Sequence, residues 1–97
     1  MCGISVRPSI YGSDSKIAYR GPDITKVKHV EDYTFIFHRL AIMDRSHAAD
    51  QPFEDKRWVL LCNGEIFNYK QLKQTYTDYP FISHSDCETI IPVLENH

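Results

Sequence analysis

No stretch of this chain stays apolar for the ~20 residues that a membrane span requires, so no membrane is expected among its partners. The N-terminus does not join a basic stretch to an apolar one, and no secretory signal is expected. Positive charge is not in excess: 11 Lys and Arg against 13 Asp and Glu leave a net charge of −2. That balance gives no basic surface for nucleic acid. Cysteine is scarce and odd in number, three residues without a Cys-x-x-Cys pair, which does not suggest a disulfide framework. His29, His38, His47, His84 and His97 show no ligand spacing, so no metal is expected. The four glycines form no glycine-rich phosphate loop. These absences leave a reducing, cytoplasmic setting, which is also where a free thiol survives.

What is present suits one small domain of 97 residues. Gly3 to Val6 reads as a strand, and Pro8 to Ser15 as loop. Arg20-Gly21-Pro22-Asp23 is a turn, with φ set by Pro22 and a backbone partner in Asp23. Val27 to Val30 and Tyr33 to His38 are two strands joined through Glu31-Asp32. Leu40 to Met43 continues an apolar edge, and Ser46 to Gln51 is polar loop closed by Pro52. Trp58 to Cys62, five apolar residues, reads as a buried strand. Asn63-Gly64 breaks it; Gly64 permits a backbone conformation that a side chain would forbid, and it lets a ligand approach closely. Tyr69 to Tyr76 is a helix capped by Asn68. Ser85-Asp86-Cys87-Glu88 has the pattern of a capping box opening a second helix. Ile90, Ile91 and Leu94 share one face of it. Pro92 falls inside that helix, at an expected cost of about 3 kcal/mol or a kink. Mixed strands and helices make this an α+β chain.

The chain opens Met1-Cys2-Gly3-Ile4. Clipping of Met1, which a small second residue permits, would make Cys2 the first residue. One residue would then carry a thiol nucleophile and a free α-amine. The amine, with a reference pKa of ~7.7–8.0, can take the thiol proton near neutral pH. The nucleophile then has its own base.

Further along stand Arg20-Gly21-Pro22-Asp23, His38-Arg39-Leu40-Ala41-Ile42-Met43-Asp44 and Gln51-Pro52. Asn63-Gly64-Glu65-Ile66-Phe67-Asn68-Tyr69 and Ser85-Asp86-Cys87-Glu88 complete the series. In this order, from Cys2 to Glu88, it resembles the class II, N-terminal-nucleophile glutamine amidotransferase domain. The Arg-Gly-Pro-Asp and Asn-Gly-Glu-Ile-Phe-Asn forms look like the glutaminase domain of asparagine synthetases. The resemblance implies an αββα sandwich of the Ntn-hydrolase type, with residues 1–97 as its N-terminal half. It also implies a synthetase domain that this chain lacks. ATP and Mg would belong there, and glutamine hydrolysis itself would need no cofactor.

The implied substrate is L-glutamine. Cys2 would attack its side-chain amide, and a thioester would follow. Asn63 and Gly64 would form the oxyanion hole; alone, Asn-Gly reads as a tight turn. Free glutamine is a zwitterion and needs both signs of charge around it. Arg39 suits the α-carboxylate through a bidentate pair. Glu65 and Asp86 suit the α-ammonium. Backbone at Leu40, Ile42 and Met43 would line the site. The plainer readings are a surface arginine, a loop glutamate and an aspartate at a helix start. Arg20 to Asp23 reads as architectural, and Cys62 and Cys87 as small buried residues.

The chain departs from the family in a short segment between Cys2 and Arg20, in Phe67 for a usual tyrosine, and in Cys62 for an aliphatic or aromatic residue. Other readings are a glutamine-binding module without turnover, an interaction fragment pairing an open sheet edge, and a glutaminase serving another acceptor. A synthetase domain or subunit is the expected protein partner.

Overall fold

The computed structural model describes residues 2–12, 16–41 and 44–97. Among these described residues five strands come in order: β1 (Gly3–Pro8), β2 (Ile24–Val30), β3 (Tyr33–Arg39), β4 (Phe53–Glu54) and β5 (Val59–Leu60). Two helices follow, α1 (Tyr69–Thr75) and α2 (Ile90–Glu95). The strands form two antiparallel sheets, β1-β3-β2 and β4-β5. The α+β expectation therefore holds.

The larger sheet grows from a hairpin. β2 and β3 pair from Val30↔Tyr33 to Ile24↔Arg39, leaving Glu31 and Asp32 as the turn. Glu31 takes φ 51 there, the left-handed conformation that two-residue hairpins demand. β3 is rich in aromatic and β-branched residues, which suit a central strand. Thr34, Ile36, Phe37, His38 and Arg39 are all buried. β1 covers its other edge from Gly3↔His38 to Pro8↔Tyr33, longer than the expected Gly3 to Val6. The rest of the expected loop contains a 3₁₀ turn at Ser9–Tyr11.

Arg20 to Asp23 closes the end of this sheet. A Cβ on buried Gly21 would run into the carbonyl of His38, so only glycine lets the loop lie on β3. Asp23 then bonds on both sides: its N–H to Arg39 O at 3.0 Å, its Oδ2 from Ala41 N–H at 2.7 Å.

The second half departs from expectation in four places. The segment Trp58 to Cys62 is a strand only at Val59–Leu60, and it is half-buried. Its neighbour β4 is equally short, so little backbone is paired. Core packing replaces pairing: Phe53, Cys87 and Ile91 form the buried centre, with Trp58, Leu60, Cys62 and Tyr79 against it. Burying side chains such as Phe53 or Ile91 contributes about 1.5–3 kcal/mol each.

α1 forms as expected, but Asn68 makes no side-chain cap; its carbonyl accepts from Leu72 N–H at 3.0 Å. No capping box forms at Ser85. Glu88 turns away and accepts from the N–H groups of Ile82 and Ser83, both 2.9 Å, and from Ser83 Oγ at 2.6 Å. Pro92 is the last departure. A 3₁₀ turn occupies Cys87–Thr89 and the α-helix starts only at Ile90. Pro92 thus falls in the first helical turn, where an N–H has no intrahelical partner. Its side chain is fully buried, so it packs the core at no helical cost.

Candidate active site

The β1–β3 register brings Cys2 to the point where Arg39 gives way to Leu40. There Cys2 Sγ accepts the Leu40 N–H at 3.2 Å and lies 3.6 Å from the Leu40 carbonyl. Arg20 Nε donates to the Cys2 carbonyl at 3.3 Å. The Arg20-Gly21-Pro22-Asp23 loop therefore grips both partners: the backbone of Cys2 and, through Asp23, that of Arg39 to Ala41.

Cys2 opens onto a cavity of about 150 Å³, room for a few waters or one small molecule. Arg39, Leu40, Asn63, Gly64, Glu65 and Asp86 line it as well. Residues scattered along the sequence thus meet around the Cys2 thiol. Ile42 and Met43, the other two expected site residues, lie outside the described residues, as does Met1.

Gln51 sets the position of Asn63. Its side chain acts as a short strand, accepting from Cys62 N–H at 2.6 Å and donating to Cys62 O at 3.1 Å. Asn63 and Gly64 do not form a hairpin, since the next element after β5 is α1. Gly64 does not use the backbone freedom that glycine permits: among the described glycines Gly12 alone has a positive φ. A Cβ on Gly64 would meet nothing within 4 Å. Of the two reasons for glycine here, the open space that lets a ligand approach remains, since Gly64 lines the cavity.

Arg39 is buried and already paired. Nη1 donates to Asp50 Oδ1 and to Ser46 O, both at 2.6 Å. A bidentate grip on a ligand must therefore use the other guanidinium nitrogens. Asp50 neutralises a charge that would be costly to bury alone. Asp86 does not cap its own helix. Its Oδ2 accepts the Ile66 N–H at 2.7 Å, across the cavity wall. Glu65 is exposed at the rim.

Several wall residues escaped the sequence reading. Asp44 joins the loop after β3 to the segment before α2: Oδ1 accepts Ser46 N–H and Oδ2 accepts His84 N–H, each at 2.8 Å. Hydrogen bonds from the Ser46 side chain and from the His84 and Ser46 backbone hold its carboxyl down at about 2. Asp44 stands at the end of the His38 to Asp44 motif, which was the available signal. Asp50 and Gln51 sat in a segment read as polar loop. Cys62 and Cys87 also line the cavity; Cys62 is only half-buried, while Cys87 is buried as expected.

A larger groove, about 740 Å³, lies between β4 and the helices, lined in part by Tyr79, Glu88 and Glu95. Burial, then Glu88, Asp55 and Glu95, pushes the Tyr79 hydroxyl up to about 12. No cysteine lines this groove, and none of the expected site residues does.

The glutamine amidotransferase domain family matches residues 1–97. The chain belongs to that family. This amidotransferase domain is 41% identical over 86 residues to glutamine-hydrolyzing asparagine synthetase 2 of Bacillus subtilis, covering 87% of this chain and 11% of that protein. It is 34% identical over 110 residues to glutamine-hydrolyzing asparagine synthetase 3 of Arabidopsis thaliana, covering 100% and 19%. To the corresponding synthetase 1 of Saccharomyces cerevisiae it is 35% identical over 109 residues, again 100% and 19%. The chain thus spans less than a fifth of the length of these relatives. The two longer alignments exceed its 97 residues, so those relatives hold residues with no counterpart in this amidotransferase domain. No solved structure matches the chain significantly. Among the described residues, no helix is long and apolar enough to cross a membrane.

Proposed function

We propose that this domain hydrolyses L-glutamine to glutamate and ammonia through Cys2, supplying the ammonia for asparagine synthesis. The supporting observation is the cavity that joins Cys2 to Arg39, Asn63, Gly64, Glu65 and Asp86. A thiol, an amide, a cation and two carboxylates around one small space match the needs of a zwitterionic amide.

In this reading the α-amine of Cys2, exposed once Met1 is removed, takes the thiol proton. The thiolate attacks the amide carbon. Asn63 and the Gly64 N–H hold the developing oxyanion. The amine returns its proton to the leaving ammonia, and water then cleaves the thioester. Arg39 holds the α-carboxylate; Asp86 Oδ1 and Glu65 hold the α-ammonium. The Leu40 N–H on Cys2 Sγ fixes the sulfur at the mouth of the cavity. No cofactor enters these steps. ATP and Mg, and the acceptor chemistry, are assigned to a synthetase domain or subunit, in a cytoplasmic protein of the Ntn-hydrolase αββα type. Supporting that assignment, the relatives above are named glutamine-hydrolyzing asparagine synthetases.

The test is intact mass and peptide mapping after exposure to a glutamine-like electrophile, beside an assay of glutamate release. We expect loss of Met1 and one adduct on Cys2, blocked by glutamine. Cys2→Ala should abolish release, and Asn63→Ala should lower it by ~10²–10³-fold, the usual cost of one oxyanion donor. Turnover surviving in Cys2→Ala would reject the assignment.

A further inference from the structure

The cavity holds two thiols that the hydrolytic reading leaves unused. Cys62 and Cys87 lie 25 positions apart in sequence, yet both line the cavity beside Cys2, and Cys62 packs against the buried cluster that contains Cys87. The second contact of Cys87 is with the active-site loop: its Sγ stands 3.6 Å from the Gly64 carbonyl. Cys62 is anchored through its backbone, both polar groups being held by Gln51. The pair therefore meets across a wall, one thiol on the loop that carries Asn63 and the other on the 3₁₀ turn before α2. Cys62 is half-buried and Cys87 buried, and both face the cavity as part of its lining.

The two thiols are chemically unequal. The hydrogen bond from Cys87 holds Cys62 down at about 7, against burial and the Asp86 carboxylate, which push it up. The same bond, with burial, pushes Cys87 well above the usual thiol range. Cys62 is thus the sulfur whose thiolate is favoured, and Cys87 the one that keeps its proton.

We propose that Cys62 and Cys87 form a redox-active dithiol in the cavity wall, which a peroxide oxidises to an intramolecular disulfide. The Cys62 thiolate attacks one peroxide oxygen; an S–O bond forms, the O–O bond breaks, and hydroxide (or alkoxide) leaves. The Cys87 sulfur then attacks Cys62. The S–S bond forms, the S–O bond breaks, and the hydroxyl departs as water with the Cys87 proton. Two electrons pass from the thiols to the peroxide. Drawing Cys87 Sγ to bonding distance of Cys62 removes it from the Gly64 carbonyl, so oxidation frees the loop that carries Asn63 and Gly64. This inference stands on the thiol pair and does not require glutamine hydrolysis.

The test is disulfide mapping of the whole chain. The native chain is treated with hydrogen peroxide, remaining thiols are alkylated, and the peptides are identified by mass. Cys2, Cys62 and Cys87 can pair in three ways, and a chain oxidised in urea should show all of them. The native chain should show the Cys62–Cys87 pair at least ~10-fold above the others, as contact in the fold dictates. Both cysteines recovered as free thiols, or Cys62 joined to Cys2, would overturn the proposal. Cys87→Ala should instead leave a sulfenic acid on Cys62 that a dione probe captures. The mapping needs no variant, so a misfolded mutant does not shield the proposal. Hydrogen exchange over residues 63–66 should rise on oxidation and return with a thiol reductant; unchanged exchange would reject the freeing of the loop.

Discussion

Asp44 shows how much one side chain can organise. It receives backbone donors from residues 46 and 84 and so ties two distant segments across the cavity wall. Its carboxyl is held at about 2, below the ~3.9 of an unfolded aspartate. A depressed carboxyl contributes stability that is present above the unfolded value and is lost as pH falls through the folded one. The contact between Asp44 and His84 should therefore persist through pH 3 and fail only near pH 2. The His84 amide resonance, followed by NMR during acid titration, should move with a midpoint near 2. A midpoint near 4 would mean that the bonds do not hold the charge. Sequence reasoning had the motif ending in Asp44 but no means of seeing its partner, which lies 40 positions away. Asp50 was hidden for the same reason: nothing in a polar loop reveals that it neutralises Arg39.

At the level of elements, the legible parts were those whose cause is local. The β2–β3 hairpin followed from two strand-forming runs and a short polar turn, and α1 was legible as a short helix-forming run after Asn68. The segment before α2 was misread because its pattern invited a local answer. Glu88 stands three residues after Ser85, as a capping box requires, but loop donors at Ile82 and Ser83 claim it instead. That arrangement leaves three donors dependent on one buried carboxylate. Unsatisfied buried donors cost about 1–3 kcal/mol each. Glu88→Ala should therefore destabilise the domain by about 3 kcal/mol. In a domain of this size that is on the order of 15 °C in Tm, measurable by thermal circular dichroism. Glu88→Gln keeps an acceptor oxygen and should cost clearly less. Equal Tm for wild type and Glu88→Ala would refute the account. Pro92 follows the same logic in reverse: its cost vanished because the helix begins later than the apolar pattern implies.

The molecule as a whole joins two sheets through polar links rather than one continuous core. Arg39–Asp50 and Asp44–His84 run between the halves, and an exposed Lys28–Glu54 pair bridges β2 and β4. The cavity lies at this seam, which explains why its residue types were legible from motifs while its geometry was not. If the links make the halves one cooperative unit, two probes of unfolding must agree. Trp58, which donates to Glu95 at 3.0 Å, reports the helical half by fluorescence. Buried Cys87 reports the seam through alkylation. Their urea transitions should coincide; Cys87 exposed at lower urea would show the seam opening first.

Gly21 and Gly64 look interchangeable on the page of a sequence. One is closed by the backbone of His38, and the other faces open space. Evolution reads them by different ledgers. At position 21 any side chain is rejected by the fold itself, whatever the protein is asked to do. At position 64 the fold has no objection, and a visitor to the cavity that it lines can still enforce the glycine. A lineage that abandoned its small molecule would be free to drift at the second and would still be held fast at the first.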